Sequence, residues 1–136
     1  MGHIELTYNL QTLAVMIVTD HPIMRDGLRL LIQQEADMEV VCETADRSRI
    51  GTDFMRCKPD ITLVDLQIPR GAALTAVSTI HRISRQAGIV LLTMFPDEPD
   101  AALRIEDGHI LNVPRTASGG EIIAAIRNAA RLGPPS

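Results

Sequence analysis

The chain contains 136 residues, a length that suits one domain of ordinary size. Hydrophobic residues make up 46% and charged residues 22%, so an apolar core can form without a disulfide or a structural metal. The formal net charge of −4 argues against the basic surface of a nucleic-acid-binding domain. No apolar run is long enough to span a membrane and no signal-peptide pattern opens the chain, so we expect a cytoplasmic location.

The chain divides into a short extension, one domain and a short tail. Residues 1–12 show no clear periodicity and are interpreted as an N-terminal extension. Residues 13–132 alternate β-branched runs with helical patterns, and residues 133–136 (GPPS) indicate a tail or the start of a linker. Strands are predicted at 14–18, 38–43, 61–64, 89–92 and 110–113, and helices at 22–36, 46–57, 72–86, 98–107 and from 118 onward.

Several residues mark the helix ends and faces. Pro22 fits the first turn of the first helix, and Ile23 is assigned to its apolar face. Ile83 is assigned to the apolar face of the helix predicted at 72–86. Ser118 and Glu121 have the spacing of a capping box, which predicts where the last helix begins.

Five strands alternating with five helices predict a parallel sheet covered on both faces, a flavodoxin-like doubly wound α/β fold. Ligands of such sheets bind at the carboxyl ends of the strands. Asp20 follows the first strand, Asp65 ends the third and Thr93 ends the fourth. These three polar side chains are therefore expected to converge at one edge of the sheet.

Two carboxylates at one edge suit Mg²⁺, which prefers hard oxygen ligands. One carboxylate beside such an ion can attack a phosphoryl group, and a nearby hydroxyl can hydrogen-bond a phosphoryl oxygen. The other interpretations are structural: Asp65 caps a turn, and Asp20 is the N-cap of the first helix. Cys42 and Cys57 form no CxxC pair, so two free, partly buried thiols are predicted.

The sequence resembles the receiver domains of bacterial response regulators of the NarL/LuxR type. The segment 17–22 (IVTDHP) resembles the acidic motif that opens these domains, and 25–28 (RDGL) continues it into the first helix. The segment 59–69 (PDITLVDLQIP) resembles the phosphoacceptor segment. The segments 90–94 (VLLTM) and 116–121 (TASGGE) resemble the switch-threonine segment and the start of the last helix.

The resemblance implies a role for each matched residue. Asp65 takes the phosphoacceptor position and Thr93 the switch position, while Arg115 takes the position of the family's lysine. Mg²⁺ would be held by Asp20, by Asp65 and by the backbone carbonyl of Gln67.

Three positions depart from the family pattern. Thr19 replaces the first of two adjacent acidic residues, Arg115 replaces the lysine, and Asn112 replaces an aromatic residue on the fifth strand. A gap in this segment would instead place Asn112 against the lysine, and the lysine is absent in either alignment. A guanidinium and an ammonium are not interchangeable at a tight phosphate site.

The resemblance implies a two-component signalling switch rather than an enzyme. A histidine kinase would be the partner, with a homodimer as a further candidate. DNA would be reached only through a helix-turn-helix output domain that this chain lacks. A degenerate, phosphorylation-independent interaction module is the alternative that Thr19, Arg115 and Asn112 favour. An aspartate-dependent phosphohydrolase is disfavoured, because such enzymes need a second aspartate where Gln67 stands.

Overall fold

The computed structural model describes residues 12–66, 71–93 and 109–131. Its strands are β1 (Leu13–Thr19), β2 (Met38–Thr44), β3 (Ile61–Asp65), β4 (Gly88–Thr93) and β5 (Ile110–Pro114). Its helices are α1 (Pro22–Gln33), α2 (Ile50–Cys57), α3 (Ala72–Ile83) and α4 (Gly119–Arg131), and a short 3₁₀ helix (Arg47–Arg49) precedes α2.

All strand pairs are parallel and follow the order β2-β1-β3-β4-β5. This order confirms the predicted doubly wound sheet. It reverses direction between β1 and β3, because the chain moves outward to β2 on one side and to β4 and β5 on the other. Ligands of open α/β sheets bind at such a switch point, outside the carboxyl ends of the strands.

The two faces of the sheet carry separate apolar layers. On one face, Leu28 and Ile32 of α1 and Ile126 of α4 pack on alternate strand residues such as Val15 and Leu63. On the other face, α2 and α3 cover the intervening strand residues, with Phe54 and Ile80 among the buried side chains. Because both faces are covered, the strands are apolar nearly throughout, as a parallel sheet requires.

The predicted strands lie within one residue of the observed ones, but two helices end earlier than predicted. The helix predicted at 22–36 ends at Gln33, and the helix predicted at 72–86 ends at Ile83. Two assignments to apolar faces were wrong, since Ile23 is 79% exposed and Ile83 is 40% exposed. Both lie at helix ends, beyond the part of the helix that packs on the sheet.

Four of the five predicted α-helices lie in the described part of the chain. The helix predicted at 98–107 lies outside it, as do the extension apart from Thr12 and the tail at 133–136. The capping box of α4 is confirmed, because Ser118 N donates to Glu121 Oε1 at 3.0 Å and Glu121 N donates to Ser118 Oγ at 3.2 Å.

The N-cap of α1 is His21, whose Nδ1 accepts a hydrogen bond from Met24 N at 3.4 Å. The interpretation of Asp20 as this cap was therefore wrong. The reason is one of position, since Pro22 occupies the first helical turn and places the capping role on the residue directly before it. Asp20 is left exposed in the bend that follows β1.

Candidate functional site

Asp65 ends β3, the central strand, and its residue is only 1% exposed. Its register partner on β1 is Thr19, which is equally buried. Thr19 Oγ1 donates a hydrogen bond to Asp65 Oδ2 at 3.0 Å and accepts one from His21 N at 3.1 Å. The hydroxyl therefore joins the start of α1 to the carboxylate across the switch point.

Arg115 brings a positive charge to the same carboxylate from the turn after β5. Its Nε lies 3.0 Å from Asp65 Oδ1, and its Nη2 donates to Asp65 Oδ2 at 3.3 Å. The residue's backbone is fixed as well, because Arg115 N donates to Thr93 O at 2.7 Å. Sequence positions 19, 65, 93 and 115 thus meet at one end of the sheet, although Asp65 and Arg115 are 50 residues apart in the sequence.

The other predicted site residues differ in how deeply they are buried. Thr93 ends β4 and is half-buried, and Asp20 is exposed beside Thr19. Asn112 lies on β5 with its side chain exposed. Gln67, predicted to offer its backbone carbonyl to a metal ion, lies outside the described residues.

The arrangement places a charged group where water cannot solvate it. A buried carboxylate is stable only when hydrogen-bond donors or a cation compensate its charge. Asp65 has both, from Thr19 and Arg115. A carboxylate held in this way at a switch point lies at the edge where ligands of this fold bind, and it can act there as a ligand or as a nucleophile.

A second buried carboxylate, Asp53 of α2, was not predicted from the sequence. Its Oδ2 accepts from Thr44 Oγ1 at 2.7 Å, and its Oδ1 accepts from Arg56 Nη2 at 3.1 Å. The hydrogen bond from Thr44, followed by that from Arg56, lowers the pKa of the Asp53 carboxyl. The spacing of Asp53 and Arg56, three residues apart on one helix, was the available signal. The cluster links the end of β2 to α2 by a buried hydrogen bond.

Both cysteines are free, as predicted. Cys42 is buried on β2, and desolvation raises the pKa of its thiol to about 11. Cys57, the last residue of α2, is half-buried. Within the described residues, no group of three or more His, Cys, Asp and Glu side chains could hold a metal ion.

A family model, described as the response regulator receiver domain, matches residues 15–127. The chain is a response regulator receiver domain. The match lies within the single domain predicted from the sequence, and it includes Thr19, Asp65, Thr93 and Arg115.

The relatives agree with this assignment and with the NarL/LuxR type. The oxygen regulatory protein NreC of Staphylococcus aureus is 32% identical over 114 residues, which is 83% of this chain and 52% of that protein. The chain thus spans about half the length of the curated relatives it matches. A LuxR-family two-component response regulator from an Aurantimonas species is 27% identical, with a TM-score of 0.73 over 88% of this chain and 86% of that one.

The fold is also that of the response regulator domain of Thermotoga maritima CheB. That structure superposes with a TM-score of 0.76 over 90% of this chain and 99% of the other, at 23% identity. Receiver domains are signalling proteins of two-component systems rather than conventional enzymes. Response regulators are phosphorylated by histidine kinases, and receiver domains generally bind Mg²⁺ at the acidic phosphorylation site. Across the described ranges, no helix is long and apolar enough to cross a bilayer.

Proposed function

We propose that this receiver domain accepts a phosphoryl group on Asp65 and responds by changing its contacts with other proteins. The observation that carries the proposal is the Asp65 carboxylate itself, buried at the end of the central strand beside Thr19 and Arg115. A histidine kinase supplies the phosphoryl group. An Asp65 oxygen forms a bond to phosphorus while the bond from phosphorus to the kinase's histidine nitrogen breaks, and that nitrogen keeps the electron pair.

The donor set fits Mg²⁺ in its chemistry, since carboxylate and carbonyl oxygens are the ligands this ion prefers. In the proposal Asp20, Asp65 and the backbone carbonyl of Gln67 hold the ion. When bound, Mg²⁺ offsets the repulsion between an anionic carboxylate and an anionic phosphoryl donor. The chain's own cation, Arg115, lies within reach of the same charge at 3.0 Å from Oδ1.

The proposed switch runs through the end of β4. Thr93 would hydrogen-bond a phosphoryl oxygen with its hydroxyl and shift toward Asp65. Because the Thr93 carbonyl accepts a hydrogen bond from Arg115 N, a movement at Thr93 is passed to the turn between β5 and α4. The surface formed by β5, α4 and the helix predicted at 98–107 would then change its affinity for a partner or a second copy of the domain.

Control of transcription belongs to the proposal as well. The curated relatives are about twice as long as the matched segment, so an output domain would complete the regulator. In the NarL/LuxR type this is a helix-turn-helix domain, through which DNA would be bound. We propose a cytoplasmic location for the domain, where such a kinase and its target would meet it.

The test is incubation of the whole chain with Mg²⁺ and acetyl phosphate, followed by intact-mass measurement. We expect a gain of one phosphoryl group that hydroxylamine removes, since hydroxylamine cleaves an acyl phosphate. Asp65→Asn should abolish the gain, and Asp46→Asn, which changes an exposed carboxylate at the start of the 3₁₀ helix, should keep it. A gain that persists in Asp65→Asn contradicts the assignment of the acceptor.

A second candidate function is a phosphorylation-independent interaction module. It is favoured by the neutral Thr19 at an acidic position, by the guanidinium that contacts both Asp65 oxygens, and by the exposed Asn112 at an aromatic position. This candidate predicts no mass gain in the same experiment, even at saturating Mg²⁺.

A further inference from the structure

Both oxygens of the Asp65 carboxylate already have polar partners within the chain. Arg115 Nε lies 3.0 Å from Oδ1, while Arg115 Nη2 and Thr19 Oγ1 lie 3.3 Å and 3.0 Å from Oδ2. The guanidinium thus approaches with two nitrogens, one toward each oxygen. The Nη2 contact is a hydrogen bond and the Nε contact is an ion pair, so the guanidinium meets the carboxylate at two points where a lysine ammonium offers a single point charge.

The backbone around Arg115 holds the guanidinium in this position. Arg115 N donates to Thr93 O at 2.7 Å, and Ala117 N donates to Pro114 O at 2.9 Å, so the turn after β5 is fixed to β4 and to itself. The side chain is 21% exposed, whereas Asp65 is 1% exposed. The guanidinium therefore keeps partial contact with solvent while the carboxylate that it contacts is buried.

The charges around Asp65 favour the Arg115 guanidinium over a divalent ion as the partner of this carboxylate. The Asp65 carboxylate has the Arg115 guanidinium at 3.0 Å, and Thr19 contributes a neutral hydroxyl where receiver domains carry a further acid. A divalent ion bound at Asp65 would be repelled by a guanidinium a few ångströms away, and that repulsion is strong in a partly buried site. The ion must also take lone pairs from oxygens that Arg115 and Thr19 now engage.

We propose that Arg115 is a built-in counter-cation of Asp65 that competes with Mg²⁺, so that the domain binds the ion only when the guanidinium leaves the carboxylate. The inference rests on the proposed function in one respect, that Asp65 is the carboxylate at which the ion acts. Arg115 is then a positioning residue that sets the affinity of the site for a divalent cation. Phosphorylation would be coupled to its release.

The experiment is a titration of the whole chain with Mg²⁺ alone, at constant ionic strength and without a phosphoryl donor. Isothermal titration calorimetry gives the affinity, and the chemical shift of the Arg115 Nε–H group in NMR spectra reports the contact directly. In the wild type we expect that resonance to shift during the titration in parallel with the Thr19 amide. A purely structural arginine would not follow the ion.

The decisive variant is Arg115→Gln, which should bind Mg²⁺ at least tenfold more tightly than the wild type. Arg115→Lys keeps the charge but loses the fork, so its affinity should lie between the two. The matched control is Arg127→Gln, which removes an ion-paired arginine at the opposite end of the parallel sheet, where Arg127 pairs with Asp37 just before β2. This control should bind Mg²⁺ as the wild type does.

Three results would overturn the proposal. They are an unchanged or weaker Mg²⁺ affinity in Arg115→Gln, an equal gain in Arg127→Gln, or an Arg115 Nε–H resonance that ignores the ion. Far-UV circular dichroism checks the fold of each variant, and the wild-type NMR titration decides the matter if Arg115→Gln does not fold. The Mg²⁺ titration contains no phosphoryl donor, so its result does not depend on whether Asp65 can be phosphorylated. Likewise, the acetyl phosphate experiment can succeed or fail whether or not Arg115 competes with Mg²⁺.

Discussion

Two buried threonines offer a test of how hydrogen bonding contributes to the stability of this domain, because the same substitution should act in opposite directions. Thr62 lies in the middle of β3, is 0% exposed, and pairs in register with Met16 and Ile89. Its hydroxyl has no hydrogen-bond partner among the described residues. Thr44 ends β2, is 4% exposed, and donates to Asp53 Oδ2 at 2.7 Å.

Valine has the shape of threonine with a methyl group in place of the hydroxyl. A buried hydroxyl without a partner carries a desolvation penalty of about 1–3 kcal/mol, so Thr62→Val should raise the free energy of unfolding by about 1 kcal/mol. A hydrogen bond to a charged group contributes about 1.5–3 kcal/mol, so Thr44→Val should lower it by about 2 kcal/mol. In a domain of this size the midpoint temperature should rise by about 4 °C in the first variant and fall by about 8 °C in the second.

The assay is urea denaturation followed by far-UV circular dichroism, since the chain has no tryptophan. Equal m-values would confirm that the two variants differ in stability and not in the surface exposed on unfolding. The reasoning is refuted if Thr62→Val is less stable than the wild type, or if both variants shift in the same direction.

Two further predictions concern the groups around β2 and α2. Hydrogen bonds from Thr44 and then Arg56 lower the pKa of Asp53 below its usual value of 3.8, so the stability it contributes is complete above that pH and is lost as the pH falls through the folded-state pKa. Asp53→Asn should therefore lower the free energy of unfolding by about 2 kcal/mol near neutral pH. Below about pH 4 its free energy of unfolding should fall less steeply with pH than that of the wild type, as measured by denaturation across pH. An equally steep fall in both proteins would contradict this role of Asp53. Because desolvation raises the pKa of the buried Cys42 thiol to about 11, the half-buried Cys57 should account for the fast phase of modification by a thiol reagent. The variant Cys57→Ser should therefore lack that phase. A fast phase that survives in Cys57→Ser would assign it to Cys42.

The sequence predicted the sheet more completely than it predicted the helices. The strands were found because a parallel sheet buried on both faces produces continuous β-branched runs, and these end at polar residues such as Asp65 and Thr93. The C-terminal ends of α1 and α3 were predicted three residues too late, because helical periodicity does not mark the residue at which a helix ends. Periodicity also misassigned Ile23 and Ile83, which fit the helical period but are exposed.

The candidate site was predictable in position but not in its internal contacts. Residues at the carboxyl ends of neighbouring parallel strands must lie close together, so Asp20, Asp65 and Thr93 could be grouped from the order of elements alone. The direction of a side chain in a turn depends on local backbone geometry, which the order of elements does not contain. Hence the forked approach of Arg115 to Asp65 appears only in the structure, as does the capping role of His21.

The two departures from the family pattern at Thr19 and Arg115 are coupled through a single carboxylate. Considered separately, one removes an acid and the other exchanges one cation for another. In the structure Thr19 Oγ1 and Arg115 Nη2 both donate hydrogen bonds to Asp65 Oδ2. An acid at position 19 would compete with Asp65 for the guanidinium, whereas a threonine hydroxyl donates to the same oxygen that Arg115 Nη2 approaches. The neutral residue therefore concentrates the positive charge of Arg115 on Asp65, so restoring the acid alone would divide the guanidinium between two carboxylates rather than release it from the site.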